Sequence, residues 1–136
     1  MKFLAGFLIV STAVLGCLRD SGLEKEVTLT LAAGNCANPR FVNERITVCF
    51  DSLLTDSRCP SEVQCFWQGY AACLFDWRSA TGRHPLRLST LALPGILPKD
   101  TILDGYRITL VDLIPYPTTT QSPKDGLKAI LKITRI

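Results

Sequence analysis

Period-two alternation of apolar side chains constrains this chain more than any other feature. Val27, Leu29 and Leu31 fall on one face of a short run with Thr28 and Thr30 on the other, as a half-buried strand requires. The pattern recurs at Ile46, Val48 and Phe50, and again at Ala71, Cys73, Phe75 and Trp77. It returns at 86–91, at Tyr106, Ile108 and Leu110, and at Leu127, Ala129, Leu131 and Ile133. The intervening stretches carry turn and loop residues. Gly34, Asn35, Asn38 and Pro39 fill the first, and residues 51–64 the second, while Gly82-Arg83 marks a turn. Pro94, Gly95 and Pro98 break the next stretch, and 115–123 reads as a stiff, Pro-rich polar loop. No stretch after the first fifteen residues sustains a 3.6-residue apolar period. The expectation is an all-β domain over 27–136: a small antiparallel β-sandwich or barrel-like fold of six to seven strands.

Six cysteines in 136 residues point to an oxidising compartment. Cys59 and Cys65 form the best pair, because they close a short loop in which Pro60 favours a turn. Cys49 and Cys73 fall in strand-like runs, as buried apolar residues or as a cross-strand pair, and the partner of Cys36 stays open. The spacings contain no paired C-x₂₋₄-C knuckle for zinc and no C-x-x-C redox motif. No metal site and no cofactor are therefore expected.

The N-terminus reads as an address. Met1-Lys2 supplies a positive charge, and residues 3–15 are an uncharged, largely apolar run of secretory length. The run ends in Val14-Leu15-Gly16-Cys17, which resembles the lipobox of bacterial lipoproteins, with Leu15 at a place more often taken by Ala, Ser or Thr. The resemblance implies a diacylglyceryl group on the Cys17 thiol and cleavage before it. Residues 1–16 are then a signal peptide, 17–26 a lipid-attached tether and 27–136 the folded domain. Two or more acyl chains hold a protein stably at a membrane. Leu18 is not the Asp of the enteric inner-membrane retention signal, so the resemblance implies an outer-membrane location in a host that has one. The competing readings are a secreted protein cut nearby and an uncleaved anchor helix.

A second stretch is more distinctive. Asp56-Ser57-Arg58-Cys59-Pro60, then Val63, Cys65, Trp67 and Gly69, is similar to a D-S-R-C-P-x-x-V-x-C-x-W-x-G signature of small, mostly uncharacterised bacterial envelope proteins. The flanking Gly69-Tyr70-Ala71, and Tyr106 through Pro115-Tyr116-Pro117, extend the resemblance over most of the domain, and it implies no particular activity. Read physically, the cluster is a staple in which a Cys59–Cys65 disulfide lies beside the Trp67 ring and Gly69 gives a sharp entry to the next strand. Arg58 is then expected to stack on Trp67 or to donate to loop carbonyls. The alternative is a surface platform of Arg58, Phe66, Trp67 and Tyr70 that binds a protein or glycan partner.

Catalytic signatures are missing. His84 is the single histidine and sits in a Gly-Arg-His-Pro turn, and no nucleophile elbow, metalloprotease motif or phosphate loop occurs. Fifteen basic and twelve acidic residues give a net charge of +3 with no basic run, which argues against a nucleic-acid partner. The reading is therefore a non-enzymatic, lipid-anchored envelope protein. It touches the membrane through Cys17 and acts as a binding or structural module. Its rivals are an inhibitor of a protease or other hydrolase, a thiol-based metal or redox carrier, and a small hydrolase with paired carboxylates.

Overall fold

A computed structural model describes residues 25–41, 44–121, 123 and 125–136. Cys17 and the signal and tether residues up to 24 lie outside the described residues. The strands are β1 (Glu26–Ala32), β2 (Cys36–Ala37), β3 (Arg40–Phe41), β4 (Glu44–Arg45) and β5 (Thr47–Asp56), then β6 (Ala71–Ser79), β7 (Gly82–Ser89), β8 (Asp100–Leu103), β9 (Tyr106–Ile114) and β10 (Lys128–Arg135). One sheet has the order β1-β10-β9-β8, the other β2-β5-β6-β7, and β3-β4 forms a small ribbon. Every pairing is antiparallel. Among the described residues no helix is long and apolar enough to cross a membrane.

The alternating faces named above meet between the two sheets. Val48, Phe50, Ala71, Cys73, Phe75, Trp77 and Leu88 of one sheet pack against Leu31, Tyr106, Ile108, Leu110, Leu113, Ala129, Leu131 and Ile133 of the other, all buried. Aromatic contacts cross the gap: Trp77 and Tyr106 have ring centroids 5.8 Å apart, and Phe41 sits 4.7 Å from Tyr106. Two facing sheets closed by such a core make a sandwich, and the barrel alternative is not adopted.

Among the described residues the strand count is ten, not six or seven. Four of the six alternating runs correspond closely to β1, β6, β9 and β10, while the run at 86–91 overlaps β7 only over 86–89. The additional β2, β3 and β4 are two residues each and β8 is four, too short to show a period. The Gly82-Arg83 turn is also displaced: both residues begin β7, and the turn lies at Ala80-Thr81.

The larger difference is β5. The sequence places its end near Phe50, yet it continues to Asp56. Register shifts after Phe50 and after Leu53 mark two bulges against β6. Each bulge inserts one residue. The positions facing Phe75, Cys73 and Ala71 are therefore Phe50, Leu53 and Asp56, three apart. A strict period of two dissolves there, and an aspartate lands at the mouth of the sandwich. β9 does the same once, stepping from Leu110 to Leu113 across a shift in its pairing with β10.

Candidate functional site

The strands run up and down, so the loops sort to two ends. Lys25, the β6–β7 turn, the β8–β9 turn and Ile136 share one end, tied by bonds from Arg135 N to Lys25 O and from Ile136 N to Gly105 O. The loops 57–70, 90–99 and 115–127 gather at the other. The described chain thus enters at one end and carries its long loops at the opposite one. A nine-residue strand such as β6 separates them by about 30 Å.

The signature stretch builds the base of the loop end. Asp56, turned to the mouth by the bulges, receives the Arg58 Nε and Nη2 bonds at 2.8 and 2.7 Å. Both side chains are almost closed to solvent. The same guanidinium crosses to the other sheet, where it donates to the carbonyls of Leu113 and Pro115. Its carbon lies 4.5 Å from the centroid of the Tyr116 ring. Burial works against the Arg58 charge, but the Asp56 carboxylate outweighs it and holds the pKa above the ordinary arginine value. Arg58 is thus an internal clasp between the sheets. It does not belong to a surface platform, and it stacks on Tyr116 rather than on Trp67.

Ser57 and Tyr70 close the neck of the loop. Ser57 N donates to Tyr70 O at 2.8 Å, and Tyr70 N donates to Ser57 Oγ at 3.3 Å. Gly69 fits there for lack of space: a Cβ at that position would lie 1.6 Å from the Ser57 carbonyl oxygen. The Cys59–Cys65 disulfide forms as expected. Two further bonds fasten this loop to the Pro-rich one. Ser61 N donates to Pro117 O at 3.1 Å, and Glu62 Oε2 accepts from Thr119 N at 3.1 Å and Thr119 Oγ1 at 2.6 Å. The disulfide loop and the Pro-rich loop are therefore one braced unit.

What this base holds up is apolar and open. Phe66 is fully exposed and Trp67 is 75% exposed, with Val63 and Tyr116 about half so. Trp67 does not cover the disulfide; it projects from it. The half-buried Tyr70 works chiefly through its backbone. A third element, which sequence reasoning missed, stands nearby. Leu93 and Leu97 form a one-bridge hairpin whose Pro94-Gly95-Ile96 tip leaves Ile96 75% exposed. A small cleft of about 110 Å³, lined by Arg58, Gln68, Thr90, Leu91 and Tyr116 among others, joins all three loops.

The opposite end holds a cavity of about 740 Å³, lined by Glu44, Arg45, Ile46, Thr81 and Asp104 among others. Its carboxylates are already engaged. Asp104 accepts from Trp77 Nε1 at 2.9 Å, Ser79 Oγ at 2.6 Å and Thr81 Oγ1 at 2.8 Å. The Ser79 and Trp77 donors hold its carboxyl below the usual range. Tyr106 donates to Glu44 at 2.5 Å, and burial together with that carboxylate pushes its phenol up to about 12. Among the described residues His84 bonds only Thr81, at 3.1 Å. These bonds tie turns together. The Asp104-Gly105 turn, with both φ angles positive, was itself legible as a D-G hairpin signal between apolar runs.

The remaining cysteines resolve as well. Cys36 and Cys49, opposite one another in β2 and β5, form the second disulfide. Cys73 is free and fully buried, with burial pushing its thiol up to about 12. Among the described residues there is no accessible thiol and no cluster of His, Cys, Asp and Glu suited to a metal. Comparison with known proteins finds no matching family, no similar curated protein and no similar solved structure.

Proposed function

We propose that this chain is a lipid-anchored envelope protein, tethered through Cys17, that acts as a binding module rather than an enzyme. Its contact surface is the braced loop end carrying Phe66 and Trp67. One observation carries this reading. Two large aromatic side chains stand in solvent on a loop fixed by a disulfide, a buried Arg58–Asp56 clasp and bonds to the Pro-rich loop. Large exposed apolar patches on soluble domains mark interaction sites, and pre-ordered loops lose little entropy on binding. The loop end lies opposite the point where the chain enters, so a tether leaves it free to meet a partner.

Two measurements test the reading. Intact mass of the envelope-extracted protein, alkylated before reduction, is expected to show a chain starting at Cys17 with lipid and one modified cysteine after unfolding. A photo-crosslinking residue at position 66 in intact cells is expected to give adducts, while the same residue at Ile102, exposed on β8, gives none. Absence of adducts at 66 removes the contact surface, and absence of lipid mass removes the tether.

Hydrolase inhibition is the second reading, favoured by the same bracing of a protruding loop. It requires a stoichiometric block of an enzyme by the intact chain. Rapid cleavage of the loop without inhibition removes it.

A further inference from the structure

The tips of the loop end are not only apolar but free of charge. In a chain with 27 ionised side chains among 136 residues, 63–75, 88–98 and 113–123 contain no Asp, Glu, Lys, Arg or His. These segments include the three neighbouring loop tips. They are bracketed in sequence by Glu62 and Asp76, by Arg87 and Lys99, and by Asp112 and Lys124, three acidic and three basic residues that cancel in sign. The other end holds Glu26, Glu44, Arg45, Arg83, Asp104 and Arg135. Of nine large apolar side chains exposed among the described residues, five (Val63, Phe66, Trp67, Ile96 and Tyr116) stand on the loop-end loops.

The shape of this end narrows its occupant. Phe66 and Trp67 protrude from one loop and Ile96 from another, and no cavity lies between these tips: the cleft of about 110 Å³ is lined by the bases of the loops, and the open hollow of about 340 Å³ by the 92–100 hairpin alone. A fluid interface needs no complementary pocket, and Trp, Tyr and Phe favour the boundary between headgroups and acyl chains. Absence of charge at the tips leaves nothing there for anionic headgroups to attract.

The anchoring membrane is the less suited source. Cys17 and Lys25 are eight residues apart, reaching about 26–29 Å at full extension. The loop end lies about 30 Å beyond Lys25, so inverting the domain onto its own membrane demands a fully stretched tether. We propose that the loop end inserts Phe66, Trp67 and Ile96 into the interfacial layer of an uncharged lipid surface facing the one that carries the anchor. This rests on the contact-surface reading above and names its partner.

The test uses the purified full chain in unlabelled phosphatidylcholine vesicles, to which phosphatidylcholine vesicles with brominated acyl chains are added. Trp67 reports contact, while Trp77 is shielded in the core and gives a constant background. The expected result is quenching of Trp67 by the added vesicles, insensitive to salt. Phe66→Ser and Ile96→Ser are each expected to weaken it about tenfold, because a buried large apolar side chain is worth at least that factor. Quenching only when the brominated lipid is in the chain's own vesicles overturns the facing-surface assignment. Contact that requires anionic lipid and disappears in salt overturns the charge-free insertion. No quenching in either arrangement overturns lipid altogether. Crosslinks from position 66 to a protein or glycan then keep the contact-surface reading, and their absence removes both.

Discussion

Arg58 donates to the backbone carbonyl of Leu113, 55 residues away on the opposite sheet, from a site almost closed to solvent. This bond converts a loop residue into a fastening between the two halves of the sandwich. The Asp56 carboxylate that neutralises it is presented by the double bulge of β5.

Removing the guanidinium strands that carboxylate. Arg58→Met is expected to cost about 3–5 kcal/mol, the penalty of leaving one partner of a buried ion pair uncompensated. Arg58→Lys is expected to recover little, because a single ammonium cannot span Asp56, Leu113 and Pro115 together. The double change Asp56→Asn with Arg58→Met is expected to be milder than Arg58→Met alone. Urea unfolding of the three variants checks this, and a double variant as unstable as Arg58→Met would refute it.

Gly69 is set by space. Its absent Cβ would meet the Ser57 carbonyl oxygen at 1.6 Å, and that oxygen belongs to backbone fixed in the neck of the loop. Gly69→Ala is expected to destabilise by about 3 kcal/mol, the upper part of the usual overpacking range. Hydrogen exchange is expected to rise first at Ser57 and Tyr70, whose mutual bonds must break. Unchanged protection at both would contradict the close approach.

Much of the architecture was legible because one physical signal sufficed. Where a strand keeps one face in the core over five or more residues, burial writes a period of two, as at Tyr106, Ile108 and Leu110. The signal failed where backbone geometry broke the period. Bulges hid the second half of β5, and the four short strands had too few residues to alternate. In the candidate site, the Cys59–Cys65 bond followed from spacing. The division of labour within the signature did not. Arg58 looks like a surface residue and Trp67 like a core residue, and the fold exchanges their places. Burial of the arginine needs the long-range carbonyls of Leu113 and Pro115 as well as Asp56, and no local pattern announces them.

Asp104 gives the domain an acid-sensitive corner. Its carboxyl lies below the ordinary range because Ser79, Trp77 and Thr81 donate to the ionised form. A depressed folded-state pKa means that this stabilisation is fully present above about pH 4, the unfolded value. It is lost as pH falls through the folded one. Asp104→Asn keeps a residue tolerant of the positive φ of 52°. It is expected to lower stability at pH 7 by about 1 kcal/mol, since the site is half-exposed. It also makes the decline below pH 4 shallower. Melting curves from pH 7 to 2 decide, and identical acid limbs would exclude Asp104 as a contributor.

Cys73 is expected to be silent in the native protein. The thiolate is the reactive form, and a thiol pushed up to about 12 inside the core offers almost none at neutral pH. Iodoacetamide is expected to leave Cys73 unmodified for hours in buffer and to modify it fully in denaturant. Rapid native labelling at this position would mean that the core opens, and would return a thiol-based activity to consideration.

The two disulfides are expected to differ in what they protect. Cys36 and Cys49 are 13 residues apart and link β2 to β5, whereas Cys59 and Cys65 are 6 apart and close only their own loop. Loop-closure entropy alone gives about 3 kcal/mol for the first and about 2 for the second, too small a gap to separate their roles by stability. Location separates them. Among the described residues, the chain between Gln64 and Gln68 makes no backbone bond to a distant segment; the ties to the Pro-rich loop stop at Glu62, and the neck resumes at Tyr70. Cys65 is therefore the nearest fixed point before Phe66 and Trp67. Replacing Cys59 and Cys65 by Ser is expected to leave the sandwich folded, with Trp77 still shielded, but to raise hydrogen exchange across 63–68. Replacing Cys36 and Cys49 is expected to lower the melting temperature without altering exchange at the tip. If instead 63–68 exchanges no faster without its disulfide, the Arg58 clasp alone positions the aromatic tip, and the covalent bond contributes stability without orientation.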